Sequence, residues 1–185
     1  MSDIRRPLSS ANKSNTTDYY GISMRMLWNV RKAIEPILLN IVNLSTYNST
    51  FPDVLKINKI IPIPKSNDYL NPNNYRSINI FSPISKLIEK CWATQINAYL
   101  VENNFLTNNH QGGIKGRSTV TATLNINSKI NKIVNDNKIA AVVGLDQSGC
   151  FEIIDHMTLM KKLKHIGFNQ QTCSLILQFL SERKQ

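Results

Sequence analysis

The segment from Ile139 to His156 reads IAAVVGLDQSGCFEIIDH. An apolar, β-prone run from Ile139 to Leu145 passes straight into an acid, Asp146. The run is too short to span a membrane. Bounded by polar residues, it reads as a buried strand. Asp146 then stands at the strand's exit, and open sheets place ligand chemistry at the carboxyl ends of their strands. Phe151 follows five residues later, with Glu152 and Asp155 behind it. A lone aspartate at such a place is more often a polar turn leaving the core. The whole run says more than its parts.

The chain has 185 residues, about one domain and enough to bury a core. A hydrophobic content of 42% excludes global disorder. No apolar stretch reaches the ~20 residues of a membrane helix. The opening Met1-Ser2-Asp3-Ile4-Arg5-Arg6-Pro7 lacks the apolar centre of a signal peptide. An intracellular protein without a membrane partner is therefore expected. Cys91, Cys150 and Cys173 are odd in number and set in apolar patterns. They read as buried thiols, neither a disulfide framework nor a metal knuckle. The net charge of +10 suits a polyanionic partner, because displacing phosphate counterions drives association. Charge alone decides little.

Along the chain, residues 1–17 are polar and read as a disordered N-terminus. Leu27, Val30, Ile34, Ile37, Leu38 and Ile41 have helical spacing. Pro36 predicts a kink there, or two consecutive helices. Lys59 to Lys65 reads as a short strand whose prolines require an edge or irregular position. After an Asn/Pro-rich loop over 66–74, Arg76 to Ile80 alternates as a returning strand. Ile84, Leu87, Ile88, Cys91 and Trp92 form one apolar helical face, predicting a helix to about Glu102. A further helix is predicted over about 118–135, then the strand ending at Asp146, then two more helices. The fold class is α/β (α+β) with a helix-rich periphery.

The run LDQSGCFEIIDH resembles the first catalytic motif of reverse transcriptases, especially those of non-LTR retrotransposons, which reads roughly LDLSKAFDTVDH. Other segments resemble the same family in the same order. Asp18-Tyr19-Tyr20-Gly21-Ile22 is similar to its DGI/YGIS element, and Phe51 to Lys65 to its FP..LK...V.PI.K segment. Asn74-Tyr75-Arg76-Ser77-Ile78 resembles NYRPI, and Ile84 to Lys90 the helix after it. His110 to Thr119 resembles QxGFxxGRST, one residue short; Asp155 to Gly167 resembles DHxxLLxKLxxxG, and Phe179 to Arg183 YLSxR. The resemblance implies the fingers and partial palm of a right-hand polymerase. Residues 18–137 would be a fingers-like region with leading helices, and 138–185 a partial palm.

It also implies roles. Two Mg2+ ions serve nucleotidyl transfer in such enzymes, activating the attacking oxygen and stabilising the departing one. Asp146 would ligate both, with the carbonyl of Gln147 completing the second. Gly149 and Cys150 would offer backbone N–H groups to the triphosphate. Phe151 would lie beneath the incoming sugar and reject a ribose 2′-hydroxyl; without the motif it would read as a core aromatic. Lys65 and Arg76 would reach the phosphates from a finger hairpin, although solvated hairpin charge is the default for isolated cations. Lys115, Arg117 and Ser118 would hold template or primer backbone, unless Ser118 simply caps the next helix. Asp155 reads as a helix cap and not a metal ligand. The partners implied are an RNA template, a DNA primer, a deoxynucleoside triphosphate and further polymerase segments of the same element.

Departures matter. Gly149 replaces a common Lys, Ser77 a common Pro, and Glu152 a common Asp. No Asp-Asp pair occurs in the sequence, whereas the family's later FADD-like strand supplies the remaining catalytic aspartates. The expectation is therefore a reverse transcriptase fragment that does not polymerise alone. A non-catalytic nucleic-acid-binding remnant of a retroelement is the alternative. A helix-rich structural protein with accidental matches is disfavoured by the ordered set, and an RNA-copying RNA polymerase by Phe151.

Overall fold

A computed structural model describes residues 4–147, 150 and 153–184. The chain forms two compact units, Met1–Ile96 with Asp155–Gln185, and Asn97–Ile154. Its described elements are helices and one two-stranded sheet, a mixed helix/strand fold.

The first unit is built around helices α1 (Arg5–Ser9), α2 (Met24–Asn29), α3 (Arg31–Asn48), most of α4 (Pro83–Glu102), α6 (His156–His165) and α7 (Gln170–Leu180). The apolar stripe expected on α4 faces inward: Leu87, Ile88, Cys91 and Trp92 are buried, with Ile84 packed against the same cluster. Leu27, Leu38, Val42, Phe51 and Leu175 belong to the same core. Burying each large side chain contributes about 1.5–3 kcal/mol. Phe51, Trp92 and Phe179 meet edge to face, with centroids 5.8, 5.1 and 6.0 Å apart. The Trp92 indole N–H donates to Thr46 Oγ1 at 3.1 Å, so its one polar atom is satisfied.

Two expectations are corrected here. The polar N-terminus is not wholly mobile: α1 places Ile4 and Leu8 in the core. These two stand four residues apart, one helical turn, and composition averaging hides so short a pattern. The break between the first two long-range helices falls at Val30, where α2 ends and α3 begins, and not at Pro36, which lies inside α3. Ser49, in the left-handed region at φ 53°, closes α3.

Strands β1 (Lys59–Pro64) and β2 (Tyr75–Ile80) form an antiparallel hairpin, Lys59 opposite Ile80 and Pro64 opposite Tyr75. The Lys65 N–H donates to the Asn74 carbonyl at 2.7 Å in the same register. Odd-numbered residues of β1 therefore exchange bonds with β2, and even-numbered ones point their backbone groups to the other edge. Pro62 and Pro64 lie on that outer edge, where a missing N–H breaks no rung. The edge placement read from the prolines holds. Just before β1, the Asn58 N–H donates to Lys184 O at 2.9 Å and the Lys184 N–H to Lys56 O at 3.2 Å, one parallel rung.

The second unit holds the loop over 103–118, helix α5 (Thr119–Asn135) and a segment over 138–147 without regular secondary structure. The buried strand expected at 139–145 does not form. Ile139 is 98% and Leu145 95% exposed, and the segment pairs with no strand among the described residues. β-propensity marks a tendency, and only a neighbouring strand supplies the ladder. Cys150 is exposed, against expectation, while Cys91 and Cys173 are buried. Among the described residues no helix is long and apolar enough to cross a membrane.

Candidate functional site

The hairpin brings two of the expected cations onto one face. Arg76 stands opposite Ile63, and Lys65 lies two residues beyond Ile63. Lys65 and Arg76 are thus diagonal cross-strand neighbours, a spacing of roughly 7–8 Å between such positions. Both are exposed. Lys65 Nζ donates to the Asn73 carbonyl at 3.0 Å, which steadies it at the hairpin tip. The tip is shaped by Asn74, whose side-chain amide donates to the carbonyls of Ser66 and Asp68.

In the second unit the loop before α5 is tied by Arg117. Its Nη1 donates to the carbonyls of Thr107, at 2.8 Å, and His110. Gly113 and Gly116 have φ of 69° and 83°, where other residues are strained, while a Cβ at either would meet no atom. Their role in the free chain is conformational. Ser118 caps α5 in a reciprocal box: its Oγ accepts from the Thr121 N–H at 3.3 Å, and its own N–H donates to Thr121 Oγ1 at 2.8 Å. Thr121 Oγ1 also reaches Gln111 Oε1 at 2.8 Å. Arg117 and Ser118 are thus engaged in holding the loop, and Lys115 is exposed on it.

Asp146 and Gln147 are exposed on the segment after α5, and Cys150 is exposed beyond it. Gly149, Phe151 and Glu152 lie outside the described residues. Among the described residues no three His, Cys, Asp or Glu side chains converge. One solvated carboxylate and a carbonyl do not make an ion cage, so the residues present do not by themselves fit a pair of Mg2+ ions. Asp155 acts as the helix cap it was expected to be: its carboxylate accepts from the Thr158 N–H at 2.7 Å. Hydrogen bonding from Thr158 holds its carboxyl below the ordinary value of 3.8.

Three side chains stand out to which the sequence reading gave no role. Asp18 is buried, and its Oδ1 accepts from the N–H groups of Tyr20 and Ile22, both at 2.9 Å, closing the turn in which Gly21 takes φ 76°. An Asp three residues before Gly is the signal that would have found this turn. Trp28 has Lys13 Nζ and the Arg31 guanidinium each 4.1 Å from its ring centre. Arg183 stacks 4.1 Å from the Phe179 ring, with Phe81 and Phe51 at 5.2 and 5.6 Å. Its Nε donates to the Phe179 carbonyl at 2.8 Å, while burial pushes its pKa down and Glu89 opposes that.

Residues 63–185 match the family model described as reverse transcriptase (RNA-dependent DNA polymerase). The chain is 27% identical over 135 residues to the "Probable RNA-directed DNA polymerase from transposon BS" of Drosophila melanogaster, covering 72% of this chain and 15% of that protein. It is 28% identical over 120 residues to the "Retrovirus-related Pol polyprotein from type-1 retrotransposable element R2" of Popillia japonica, covering 65% of this chain and 16% of that protein. The chain therefore spans a small part of the length of the curated relatives it matches.

Proposed function

We propose a role for this chain from one premise: it belongs to the reverse transcriptase (RNA-dependent DNA polymerase) family. The role is that of the fingers and first palm segment of a non-LTR retrotransposon RNA-directed DNA polymerase. The observation that carries it is the placement of Lys65 and Arg76 as diagonal neighbours on one hairpin face inside the matched span. Two cations at that spacing suit a triphosphate: Lys65 as a compact charge, Arg76 as a planar fork. Lys115 would meet template or primer phosphates beside the loop that Arg117 and Ser118 brace. Gly149 and Cys150 would pass the triphosphate close to the main chain, and Phe151 would exclude a ribose 2′-hydroxyl by collision.

Reverse transcriptases use divalent metal ions, which supply charge stabilisation at the reacting phosphate. Asp146 offers one carboxylate and Gln147 one carbonyl toward such a site, and the sequence holds no adjacent aspartate pair to complete it. We therefore assign nucleotide and nucleic-acid binding to this chain and no polymerisation by it alone. The test is primer extension on an RNA template beside dNTP protection of Lys65 against acylation. Protection without extension is the expected result. Extension above buffer background overturns the inactivity. Salt-sensitive RNA binding with no dNTP protection overturns the nucleotide site and leaves a nucleic-acid-binding remnant.

A further inference from the structure

The β1–β2 hairpin has little packed face of its own. Every residue of Lys59–Pro64 is exposed, and β2 buries only Ile80. A two-stranded ribbon is marginally stable without a packed face, so its direction is set where it is rooted. At that root Leu55, Lys56 and Asn58 are buried, and Lys56 Nζ meets Asp53 Oδ1 at 2.9 Å. The parallel rung from Lys56 and Asn58 to Lys184 joins the root to the chain after α7. Alternation about that rung puts Ile57 and Lys184 on one side and Lys56, Asn58 and Arg183 on the other. The second side faces inward.

Arg183 is the residue that gathers this root. Its guanidinium lies 4.1 Å from the centre of the Phe179 ring, 5.2 Å from Phe81 and 5.6 Å from Phe51. Phe51 is on the chain entering the hairpin, Phe81 directly follows β2, and Phe179 is on α7. One cation thus touches the way in, the way out and the helix behind. Two features show that it is held there at a cost. Its Nη1 and Nη2 are buried and have no hydrogen-bond partner among the described residues, an expensive state for a charged group. Glu182 just before it takes φ 57°, a region that strains any residue with a Cβ. A methionine would fill the same space without the unpaired charge. What arginine adds is a flat cation that several ring faces attract at once.

We propose that Arg183 is a positioning residue: it locks the root of the β1–β2 hairpin to α7 and so fixes where Lys65 and Arg76 are presented. The lock stands on the ring and rung geometry alone; its purpose rests on the nucleotide reading of those two cations. The lever is long. Lys65 lies six residues beyond Lys59, roughly 20 Å along a strand. A swing of about 10° at the root would move it about 3.5 Å, where a misplacement of ~1 Å can already cost ~100-fold in a reaction.

The experiment measures the hairpin directly. In the full chain with Cys150→Ser, spin labels at Asn67→Cys and Lys32→Cys report the distance from hairpin tip to α3 by pulsed electron resonance, without nucleotide. One narrow distribution is expected with Arg183 in place, and at least a doubled width in Arg183→Met. Arg183→Lys, which keeps the charge but not the planar fork, should give an intermediate width, and it carries the test if the methionine variant does not fold. Ile88→Ala, a core lesion away from the rings, should leave the distribution narrow. Without the labels, Arg183→Met should need about tenfold more dNTP to protect Lys65 from acylation. Unchanged width in both Arg183 variants overturns the lock, and so does equal broadening by Ile88→Ala. Broadening with unchanged dNTP protection overturns the positioning role. Broadening in a chain whose wild type shows no dNTP protection supports the lock and overturns the nucleotide site, so the two readings fail separately.

Discussion

Arg76 and Lys65 project from the same face of the β1–β2 hairpin as diagonal neighbours, two residues apart in the antiparallel register. Neither is needed for the core, so their removal isolates function from folding. Lys65→Ala or Arg76→Ala should weaken triphosphate binding about tenfold or more, the scale of one lost charge-assisted hydrogen bond. The unfolding midpoint should hold, because exposed substitutions usually stay within about 0.5 kcal/mol. Titration calorimetry with a dNTP and urea unfolding of the same samples check both halves; unchanged affinity would remove the hairpin from the nucleotide site.

The capping box at α5 makes a local prediction. Ser118→Ala should lower helix stability by about 1 kcal/mol, with Ser118→Asp nearly neutral. Amide exchange over Thr119–Asn135 reads this directly. Equal protection in both variants would mean the box seen at Ser118 and Thr121 contributes nothing in solution.

Core and surface should separate cleanly. Ile88 is 1% exposed inside the main apolar cluster, so Ile88→Ala should cost about 2–5 kcal/mol. Leu124→Ala on α5, exposed in the monomer, should cost under about 0.5 kcal/mol at dilution. Comparable losses at both sites would show that α5 is covered in solution.

Acid should loosen α6 first at its N-terminus. Asp155 and Asp53 both have carboxyls held below their ordinary value, Asp155 by bonds from Thr158 and Asp53 by Lys56. A depressed folded-state value means the contribution is complete above the unfolded value near 3.8 and fades as pH falls through the lower folded value. Asp155→Asn should flatten that part of the acid titration of helix content below about pH 4. A slope unchanged from wild type would refute the assignment.

Periodicity disclosed the elements that bury one face. The stripe from Ile84 to Trp92 located α4, and Ser118 with the run behind it located α5. The prolines of Lys59–Pro64 told that this strand lies at an edge or is irregular, because a missing N–H is tolerated only where no rung is due. The segment 139–145 misled for the opposite reason: its residues specify extended backbone, and the partner that would bury it is not written in its own composition. The first helix escaped notice because two apolar residues in a polar stretch fall below any averaging window. At the site, the family resemblance singled out Lys65, Arg76, Lys115 and Asp146, but did not show that Arg117 would turn inward to carbonyls. That depends on the loop closing around two glycines at positive φ.

The prolines on the outer edge of β1 act as sentries. A strand arriving alongside Pro62 and Pro64 would find carbonyls to bond but no donors to answer. Exchanging both for isoleucine would leave the hairpin's own bonds intact and open a continuous, apolar border to any passing chain. Solubility would then fail before stability did, and the loss would be a matter of two absent rings.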